Sequence, residues 1–305
     1  MKKKFIHVID TAVILSLAGY ILLDTFVIPR SYAVVTTTAS AANTTSTTSY
    51  ANSSSSSSSS TPVVTDSSYQ DDNISINITT DTYDDTVVYV ADVQISDVSY
   101  LQTAFANNTY GKNVTATTST IANSVGAILA VNGDFYGART SGYVIRNGVL
   151  YRDTVSSSTQ QDLVINADGS FSIITEGSTS AASLLDSGAQ QVLSFGPALI
   201  ENGEVVVSTN TEVGQAMSSN PRTVLCEISP LHYLLVVADG RTSASAGLSL
   251  YQMATYLQTL GVTTAYNLDG GGSSTMVFNG TVINNPTTTG NKISERSVSD
   301  IVYIG

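Results

Sequence analysis

Short apolar runs joined by Asn-Gly or Asp-Gly pairs are the feature that most limits what this chain can fold into. Four such pairs stand at Asn147-Gly148, Asp168-Gly169, Asn202-Gly203 and Asn279-Gly280. Asn, Asp and Gly accept the positive φ angles of the tight turns that join antiparallel strands. Each pair therefore predicts a β-hairpin, and together they indicate a fold dominated by strands.

Apolar patterns elsewhere extend this prediction. Ile74, Ile76 and Ile78 alternate with polar residues, as in a strand with one buried face. Continuous apolar runs predict further strands at residues 86–95, 224–228 and 233–238.

One helix is well marked in the last quarter of the chain. Apolar residues recur at helical spacing from Leu250 to Leu260, Ser249 is a suitable N-cap, and Gly261 can end the helix. A weaker pattern predicts a second helix at residues 100–107. With few helices among many strands, residues 73–305 are predicted to form a single β-rich α+β globular domain.

Residues 1–33 have the composition of a targeting element. Lys2, Lys3 and Lys4 precede a mostly apolar stretch that ends near Ile28, and Ser31-Tyr32-Ala33 resembles a signal peptidase site. The element is either a cleaved signal peptide or an uncleaved, single-pass signal anchor in the cell membrane, and we favour the anchor. Both alternatives place the rest of the chain outside the cell.

Residues 34–72 are predicted to be a disordered linker. Nineteen of the 26 residues from 36 to 61 are Ser or Thr, and no apolar pattern could form a core there. We expect this linker to space the domain from a membrane or wall.

Charge and rare residue types exclude several functions. The chain has 12 Lys and Arg against 24 Asp and Glu, so it lacks the basic surface that nucleic acid binding requires. One cysteine excludes an internal disulfide and a thiolate zinc cluster, and two histidines leave little room for histidine chemistry. The few arginines are candidates for binding an anion, because the guanidinium group suits phosphate and carboxylate.

Four blocks place an apolar strand beside a polar loop, at residues 132–137, 220–223, 239–241 and 267–275. Glycine lets backbone amides approach a ligand, and an aspartate at a strand end supplies a carboxylate for catalysis. Asp239-Gly240 alone is typical of a turn. The run Gly270-Gly271-Gly272 exceeds what a hairpin needs, which favours a binding loop.

These blocks, in their order along the chain, resemble the phosphodiester glycosidase family. The resemblance rests on NGDFY at 132–136, FGP at 195–197, RT at 222–223, DGR at 239–241, the helix within 247–260, NLDGGGSS at 267–274 and RSVSDI at 296–301. It covers about residues 85–305. The family includes the lysosomal enzyme that removes N-acetylglucosamine to uncover mannose 6-phosphate, and many exported bacterial proteins regarded as exopolysaccharide-related.

The resemblance implies an exported hydrolase that cleaves a sugar C1–O bond whose leaving group is a phosphate diester. Such a reaction needs a carboxylate near the sugar, and the candidates are Asp269 and Asp134, then Asp239, which could instead orient Arg241. A phosphate leaving group needs little help from a general acid, which suits a chain poor in histidine. The residues predicted to bind substrate and phosphate are Asn132, Arg222, Arg241, Gly270, Gly271, Gly272, Ser273, Ser274 and Arg296.

The expected substrate is a phosphorylated glycan or glycopolymer of the cell surface, and Phe135 and Tyr136 are candidates for packing against a sugar ring. Two other functions stay open. A non-catalytic envelope module would bind phosphorylated glycans, and a metal-dependent phosphodiesterase would cut the P–O bond, although such sites usually need more histidines. No cofactor is predicted. A divalent cation such as Ca²⁺ beside the three aspartates is left open, because their spacing matches no defined cation loop.

Overall fold

The computed structural model describes residues 14–24, 27–32, 61–211, 219–288 and 292–305. Residues 1–13 of the predicted targeting element and most of the predicted linker lie outside these ranges. As predicted, the described residues form a β-rich α+β globular domain, and it has four α-helices. The helices are α1 (residues 14–24), α2 (Thr118–Val125), α3 (Ala181–Asp186) and α4 (Leu250–Thr259).

The strands, in chain order, are β1 (Arg30–Ser31), β2 (Val63–Val64), β3 (Ser68–Gln70), β4 (Ile74–Tyr83), β5 (Thr86–Ile95), β6 (Leu101–Phe105), β7 (Gly111–Lys112), β8 (Leu129–Asn132), β9 (Val144–Arg146), β10 (Val149–Arg152), β11 (Gln161–Ile165), β12 (Phe171–Thr175), β13 (Gln191–Leu193), β14 (Ala198–Glu201), β15 (Glu204–Val205), β16 (Arg222–Ser229), β17 (His232–Ala238), β18 (Thr264–Asn267), β19 (Met276–Phe278), β20 (Thr281–Val282) and β21 (Asp300–Ile304).

Most of these strands belong to three sheets. A nine-stranded sheet has the order β15-β14-β18-β16-β17-β5-β4-β3-β2, and two five-stranded sheets have the orders β10-β9-β13-β11-β12 and β20-β19-β8-β21-β6. The main hydrophobic core combines side chains from all three sheets, among them Leu235, Leu163 and Leu129. The two small sheets therefore cover one face of the large sheet.

Helix α4 covers the other face of the large sheet. Its Met253 and Leu257 pack with Val224, Cys226 and Val236, whose side chains point away from the main core. Strands β16 and β17 thus bury both faces, which explains their continuous apolar sequences. Cys226 is a buried, unpaired thiol in this second core.

The local predictions hold for most elements. All four predicted hairpin turns join neighbouring antiparallel strands, and β5 has the predicted bounds of residues 86–95. Helix α4 begins after Ser249, whose hydroxyl accepts from the Gln252 amide, and the Gln252 side chain accepts from the Ser249 amide. This reciprocal cap stabilises the first turn of the helix.

The predicted helix at residues 100–107 is wrong. Residues Leu101–Phe105 form strand β6, which pairs along its whole length with β21. Pairing with a partner distant in sequence overrides a weak local pattern, because the paired strand buries Leu101 and Thr103.

The sheet also begins earlier than the domain boundary predicted at residue 73. Strands β2 and β3 lie within residues 61–72 and extend the large sheet beside β4. On the other side of the Ser/Thr tract, β1 pairs with β7, and the Tyr32 ring lies 5.6 Å from that of Tyr110. The described segments before and after the tract therefore both contact this domain, and the spacing role of the tract stays a prediction.

Among the described residues, none of the helices combines the length and the apolar character needed to cross a membrane.

Candidate functional site

The candidate site forms at one edge of the large sheet, because three neighbouring antiparallel strands place their functional ends there. Strand β16 begins at Arg222, opposite Ala238 at the end of β17, and Val224 pairs with Asn267 at the end of β18. The loops that follow β17 and β18, with Arg241 and Asp269, therefore meet beside the first residue of β16.

The second five-stranded sheet delivers its own strand ends to the same place. Strand β8 ends at Asn132, which pairs with Ile301 near the start of β21. The Asn132 amide donates to the carbonyl of Asp269 at 2.6 Å, and its Oδ1 accepts from the hydroxyl of Thr223 at 2.8 Å. Asn132 is fully buried, so this predicted binding residue joins the two sheets and fixes the backbone of Asp269.

A cavity of about 390 Å³ opens at this edge. We call it the arginine cavity; it is lined by Phe195, Asn220, Arg222, Arg241, Asn267, Leu268, Asp269, Gly270, Gly271 and Arg296. Three guanidinium groups and one carboxylate thus face the same space. Positive charge is in excess there, although the chain as a whole carries a net charge of −12.

Arg241 reaches the arginine cavity from a left-handed backbone conformation with φ of 64°. Its guanidinium donates to Oδ1 of Asn220 at 3.0 Å and to the carbonyls of Thr287 and Thr288. Burial lowers the pKa of Arg241, and the nearby positive charge of Arg296 lowers it further. A bound anion would relieve both effects.

Arg222 and Arg296 enter the arginine cavity from other elements. Arg222 is buried, and its Nε donates to the carbonyl of Leu248 at 2.8 Å. Arg296 precedes β21 and keeps 41% of its side chain exposed. Its Nη2 forms an ion pair with Oδ2 of Asp269 at 2.7 Å.

Asp269 is held by one carboxylate oxygen only. Its Oδ2 accepts from Arg296 and from the hydroxyl of Ser273 at 2.7 Å, and Ser273 in turn accepts from Nε of Arg296 at 2.9 Å. Within the described residues, Oδ1 of Asp269 accepts no hydrogen bond. The carboxylate is therefore fixed in orientation and has one oxygen available for chemistry.

The three glycines after Asp269 allow close packing. A Cβ atom on Gly271, whose φ is 62°, would lie 2.8 Å from Nη2 of Arg241, and one on Gly270 would lie 2.9 Å from the Pro221 carbonyl. A Cβ on Gly272 would lie 2.9 Å from Cα of Thr288. The amide of Gly271 donates to the Pro221 carbonyl. The three glycines thus let Arg241 and residues 287–288 approach this loop closely. This close approach explains the glycines in addition to the predicted binding of a ligand by their backbone amides.

A second cavity, of about 310 Å³, adjoins the first at Asp269. We call it the Phe135 cavity; it is lined by Asn113, Thr115, Gly133, Phe135, Gly137, Ala138, Asp269, Ser297, Val298 and Ser299. Among the described residues, Asp269 is the only carboxylate that lines either cavity.

Phe135 combines exposure with backbone strain. Its side chain is exposed at the Phe135 cavity, and its φ and ψ are 70° and 20°. A bulky residue in this left-handed region costs of order 1–3 kcal/mol and persists only where its surroundings impose it. Its neighbour Tyr136 is buried and stacks on Tyr110 at 5.3 Å, so the aromatic candidate that remains accessible is Phe135.

The carboxylate of Asp134 lies outside both cavities. It is fully buried, forms an ion pair with Arg146 at 2.9 Å, and accepts from the amides of Tyr136 and Ser194. Arg146 also pairs with Asp300 at 2.9 Å. Because Arg146 draws the side chain inward, Asp134 lines neither cavity. In the structure Asp134 anchors the backbone on one side of Phe135, and its role as a catalytic carboxylate stays a prediction.

Asp239 likewise turns away from the cavities. Its carboxylate accepts from the side-chain amide of Asn284 at 3.0 Å and from both the backbone and side-chain amides of Asn285. The hydroxyl of Tyr89 also donates a hydrogen bond to this carboxylate. The pKa of Tyr89 is raised, mainly by burial and secondly by the negative charge of Asp239. Asp239 therefore fixes the 284–288 segment, and it orients Arg241 only through the carbonyls of that segment.

A buried acid lies behind the site without lining it. Asp162 is fully buried in β11. Its pKa is raised to about 8, mainly by burial and secondly by the negative charge of Glu176. Glu176 is itself buried and accepts from the amide of Tyr143 and the hydroxyls of Ser156 and Ser194.

The structure thus brings together most of the predicted residues. Asp269, Arg222, Arg241, Arg296, Gly270 and Gly271 line the arginine cavity, whereas Asn132, Gly272, Ser273 and Ser274 are buried around it. Sequence reasoning did not select Phe195, Asn220 and Asn267 as site residues, although each lies in a block that it had noted. Asn113 and Thr115 carry no sequence signal. No group of three or more His, Cys, Asp or Glu arranged to hold a metal occurs in the described part of the chain.

Comparison with known proteins connects this site to a family. Residues 125–305 match the family model described as phosphodiester glycosidase. This range contains both cavities except for Asn113 and Thr115.

Curated relatives match part of the chain. N-acetylglucosamine-1-phosphodiester alpha-N-acetylglucosaminidase of Mus musculus is 31% identical over 188 residues, which are 56% of this chain and 35% of that protein. The SPbeta prophage-derived uncharacterized protein YomE of Bacillus subtilis is 28% identical over 165 residues, 52% of this chain and 25% of that protein. The chain therefore spans about a quarter to a third of the length of these relatives.

Solved structures share the fold. The catalytic domain of the zebrafish N-acetylglucosamine-1-phosphodiester alpha-N-acetylglucosaminidase, auto-inhibited by its pro-peptide, superposes with a TM-score of 0.59 at 21% identity, covering 76% of this chain and 82% of that one. A hypothetical protein from Synechocystis gives a TM-score of 0.54 at 16% identity, covering 77% of this chain and 62% of that one.

Proposed function

Because the chain belongs to the phosphodiester glycosidase family, we propose that it hydrolyses the sugar C1–O bond of glycosyl-1-phosphodiesters, with Asp269 as the catalytic carboxylate. The observation that carries this proposal is the position of Asp269 between the two cavities. Arg296 and Ser273 fix Oδ2, and Oδ1 is left available toward a bound substrate. A carboxylate held in this way can attack C1 or activate the water that does so.

The arginine cavity supplies the binding site for the phosphate. Arg222, Arg241 and Arg296 offer charge-assisted hydrogen bonds to the non-bridging oxygens of a phosphodiester. Their charge also stabilises the phosphate as it leaves, because negative charge grows on the departing oxygen.

The proposed reaction balances without a cofactor. Water adds to C1, the C1–O bond breaks, and the bonding electron pair leaves with the phosphate oxygen. The products are the free sugar and a phosphate monoester, which takes up the remaining proton of water. If Asp269 attacks C1 first, a glycosyl-enzyme ester forms and water then releases the sugar.

The substrate class follows from the relatives. Mammalian enzymes that are 31% identical to part of this chain are named for N-acetylglucosamine-1-phosphodiesters, so this sugar is the first probe. Lys2–Lys4, the apolar stretch and the Ser/Thr tract support an exported protein attached to the cell membrane, with surface glycopolymers, including exopolysaccharides and wall polymers, as natural substrates.

The test measures the release of N-acetylglucosamine from a methyl N-acetylglucosamine-1-phosphodiester by the full chain. We expect turnover by the unchanged protein, and a loss of about 10³-fold or more in Asp269→Asn at an unchanged melting temperature. Asp168→Asn is the matched control, since Asp168 also precedes a glycine but lies in the exposed turn between β11 and β12. Turnover that survives in Asp269→Asn would contradict the assignment.

Two further readouts separate the other functions. In water enriched in ¹⁸O, C1–O cleavage puts the label into the sugar, whereas a phosphodiesterase that cuts P–O puts it into the phosphate. Saturable binding of the diester without release of either product would instead identify a non-catalytic binding module.

A further inference from the structure

The Phe135 cavity differs chemically from the arginine cavity that it adjoins. Its described lining includes one aromatic ring, exposed by 42%, and the uncharged polar side chains of Asn113, Thr115, Ser297 and Ser299. Its only charged lining residue in the described chain is Asp269. No positively charged side chain among the described residues lines the Phe135 cavity, so this cavity does not suit a phosphate. The two cavities therefore suit different parts of one ligand.

A pyranose ring has the chemistry that matches this lining. One face of the ring presents C–H groups, which pack against an aromatic ring, and its edge presents hydroxyls that pair with amide and hydroxyl groups. The arginine cavity, with its three guanidinium groups, suits the phosphate. The two sites meet at Asp269, as a glycosyl-phosphate ligand would require.

The loop that carries Phe135 rests directly on β21 and the residues before it. A Cβ atom on Gly133 would lie 2.1 Å from Oδ1 of Asp300, and one on Gly137 would lie 2.3 Å from Oγ of Ser299. The two glycines therefore let the loop lie on those side chains without a gap, and the loop has no room to move toward β21.

The backbone of Phe135 is strained where nothing in the core requires it. Asp134 and Tyr136 on either side are buried and bonded, while the Phe135 side chain is turned outward. A left-handed conformation at a bulky, exposed residue fits a site where a side chain must point at a ligand. Core packing would bury this ring.

We infer that the Phe135 cavity is the glycosyl subsite, in which the Phe135 ring packs against the sugar and places its C1 beside Asp269, while the phosphate lies in the arginine cavity. This inference rests on the proposed function for the identity of the ligand. It adds a specificity-determining residue that the reaction itself does not require.

The decisive variants act on the ring and leave the backbone in place. Asn tolerates the left-handed conformation, so Phe135→Asn removes the ring without adding strain. Phe135→Tyr keeps the ring and is the matched control. Arg241→Gln weakens the other cavity by removing one cation and keeps a side chain of similar length.

Inhibition by two small probes measures the subsites separately. For Phe135→Asn we expect the inhibition constant of free N-acetylglucosamine and the KM of the diester to rise by about 10-fold, with the inhibition constant of inorganic phosphate unchanged. For Arg241→Gln we expect the inhibition constant of inorganic phosphate and the KM of the diester to rise, with the inhibition constant of N-acetylglucosamine unchanged. Phe135→Tyr should stay within about twofold of the unchanged protein for both probes. The melting temperature of Phe135→Asn should not fall, because the strain is relieved.

The outcomes that overturn the inference are distinct from those that overturn the proposed function. If Phe135→Asn leaves the affinity for the sugar unchanged, or weakens sugar and phosphate equally, the Phe135 cavity is not the glycosyl subsite. If the full chain hydrolyses no diester, the same comparison is made by calorimetric titration with N-acetylglucosamine and with inorganic phosphate. Binding of the sugar that depends on Phe135 would then uphold the subsite although the catalytic proposal had failed, and no binding of the sugar would overturn it.

Discussion

Two aspartates that follow strand ends in this domain each form an ion pair with an arginine, and the two pairs differ in their burial. Asp134 and Arg146 have side chains that are 0% and 2% exposed, and Arg146 pairs with a second buried carboxylate, Asp300. Asp269 and Arg296 have side chains that are 12% and 41% exposed and lie at two cavities. The same residue types thus form a buried support in one place and the proposed catalytic site in the other.

The difference arises from what each carboxylate faces. The carboxylate of Asp134 turns inward to Arg146 and to the amides of Tyr136 and Ser194, where protein groups must neutralise its charge. The carboxylate of Asp269 lines both cavities, so it needs only one fixed oxygen and leaves the other for a ligand. An aspartate before a glycine-rich loop is therefore a candidate for catalysis only when its second oxygen stays accessible.

Removing the buried arginine tests the comparison most severely. We expect Arg146→Met to lower the free energy of unfolding by about 3–5 kcal/mol, because Asp134 and Asp300 would remain as uncompensated buried carboxylates. Chemical denaturation measures this change. The same substitution at the exposed pair, Arg296→Met, should cost about 1 kcal/mol or less. Equal losses at the two positions would contradict the distinction between them.

The second prediction concerns activity at the exposed pair. Arg296→Met should lower kcat for the diester by about 10- to 100-fold, because Asp269 loses the partner that orients its carboxylate. Steady-state kinetics and a melting curve on the same preparation check this. A large loss of melting temperature together with activity would place Arg296 with the buried support instead.

The third prediction concerns Asp239, whose side chain holds the 284–288 segment. Asp239→Asn should lower stability by about 1–3 kcal/mol, because two asparagine amide groups and a backbone amide lose a charged acceptor. The KM of the diester should rise through the displacement of Arg241, while kcat stays within about threefold. A kcat that collapses at unchanged KM would restore Asp239 as a catalytic carboxylate.

The smallest predicted effect is a dependence of stability on pH. The pKa of Asp162 is about 8 in the folded protein and about 4 when unfolded, so between these values the folded protein holds the extra proton. The contribution of Asp162 to the free energy of unfolding is therefore fully present below about pH 4 and is lost as the pH rises toward 8. Asp162→Asn should remove this loss, so that its melting temperature rises relative to that of the unchanged protein between pH 5 and pH 8.

The exposed Asp168→Asn variant is the control for this measurement, because hydrogen bonds from Ser170 lower the pKa of Asp168 and keep its carboxylate ionised over this pH range. Its melting temperature should follow that of the unchanged protein across the same pH range. Parallel curves for all three proteins would show that Asp162 does not bind the extra proton.

Much of the fold was predictable because it depends on local rules. Asn-Gly turns at Asn147, Asn202 and Asn279 impose hairpins wherever the chain folds, and the cap at Ser249 starts α4 independently of its surroundings. Residues 101–105 were not predictable in this way, since β21, about 200 residues later, supplies the pairing that makes them a strand. The early strands β2 and β3 were missed for another reason: they pair with near neighbours in the sequence, but they are only two and three residues long.

The sequence by itself determined the strand-rich architecture, the family resemblance and the block that contains Asp269, because these follow from residue types and their spacing. Only the tertiary structure decided which aspartate has an accessible oxygen, that Arg222, Arg241 and Arg296 share one cavity, and that Phe135 faces another. The physical reason is burial: a carboxylate in the interior must be paired and serves the fold, whereas one at a cavity can keep an oxygen for a substrate. Burial depends on residues that are distant in the chain, so no spacing within a motif can reveal it.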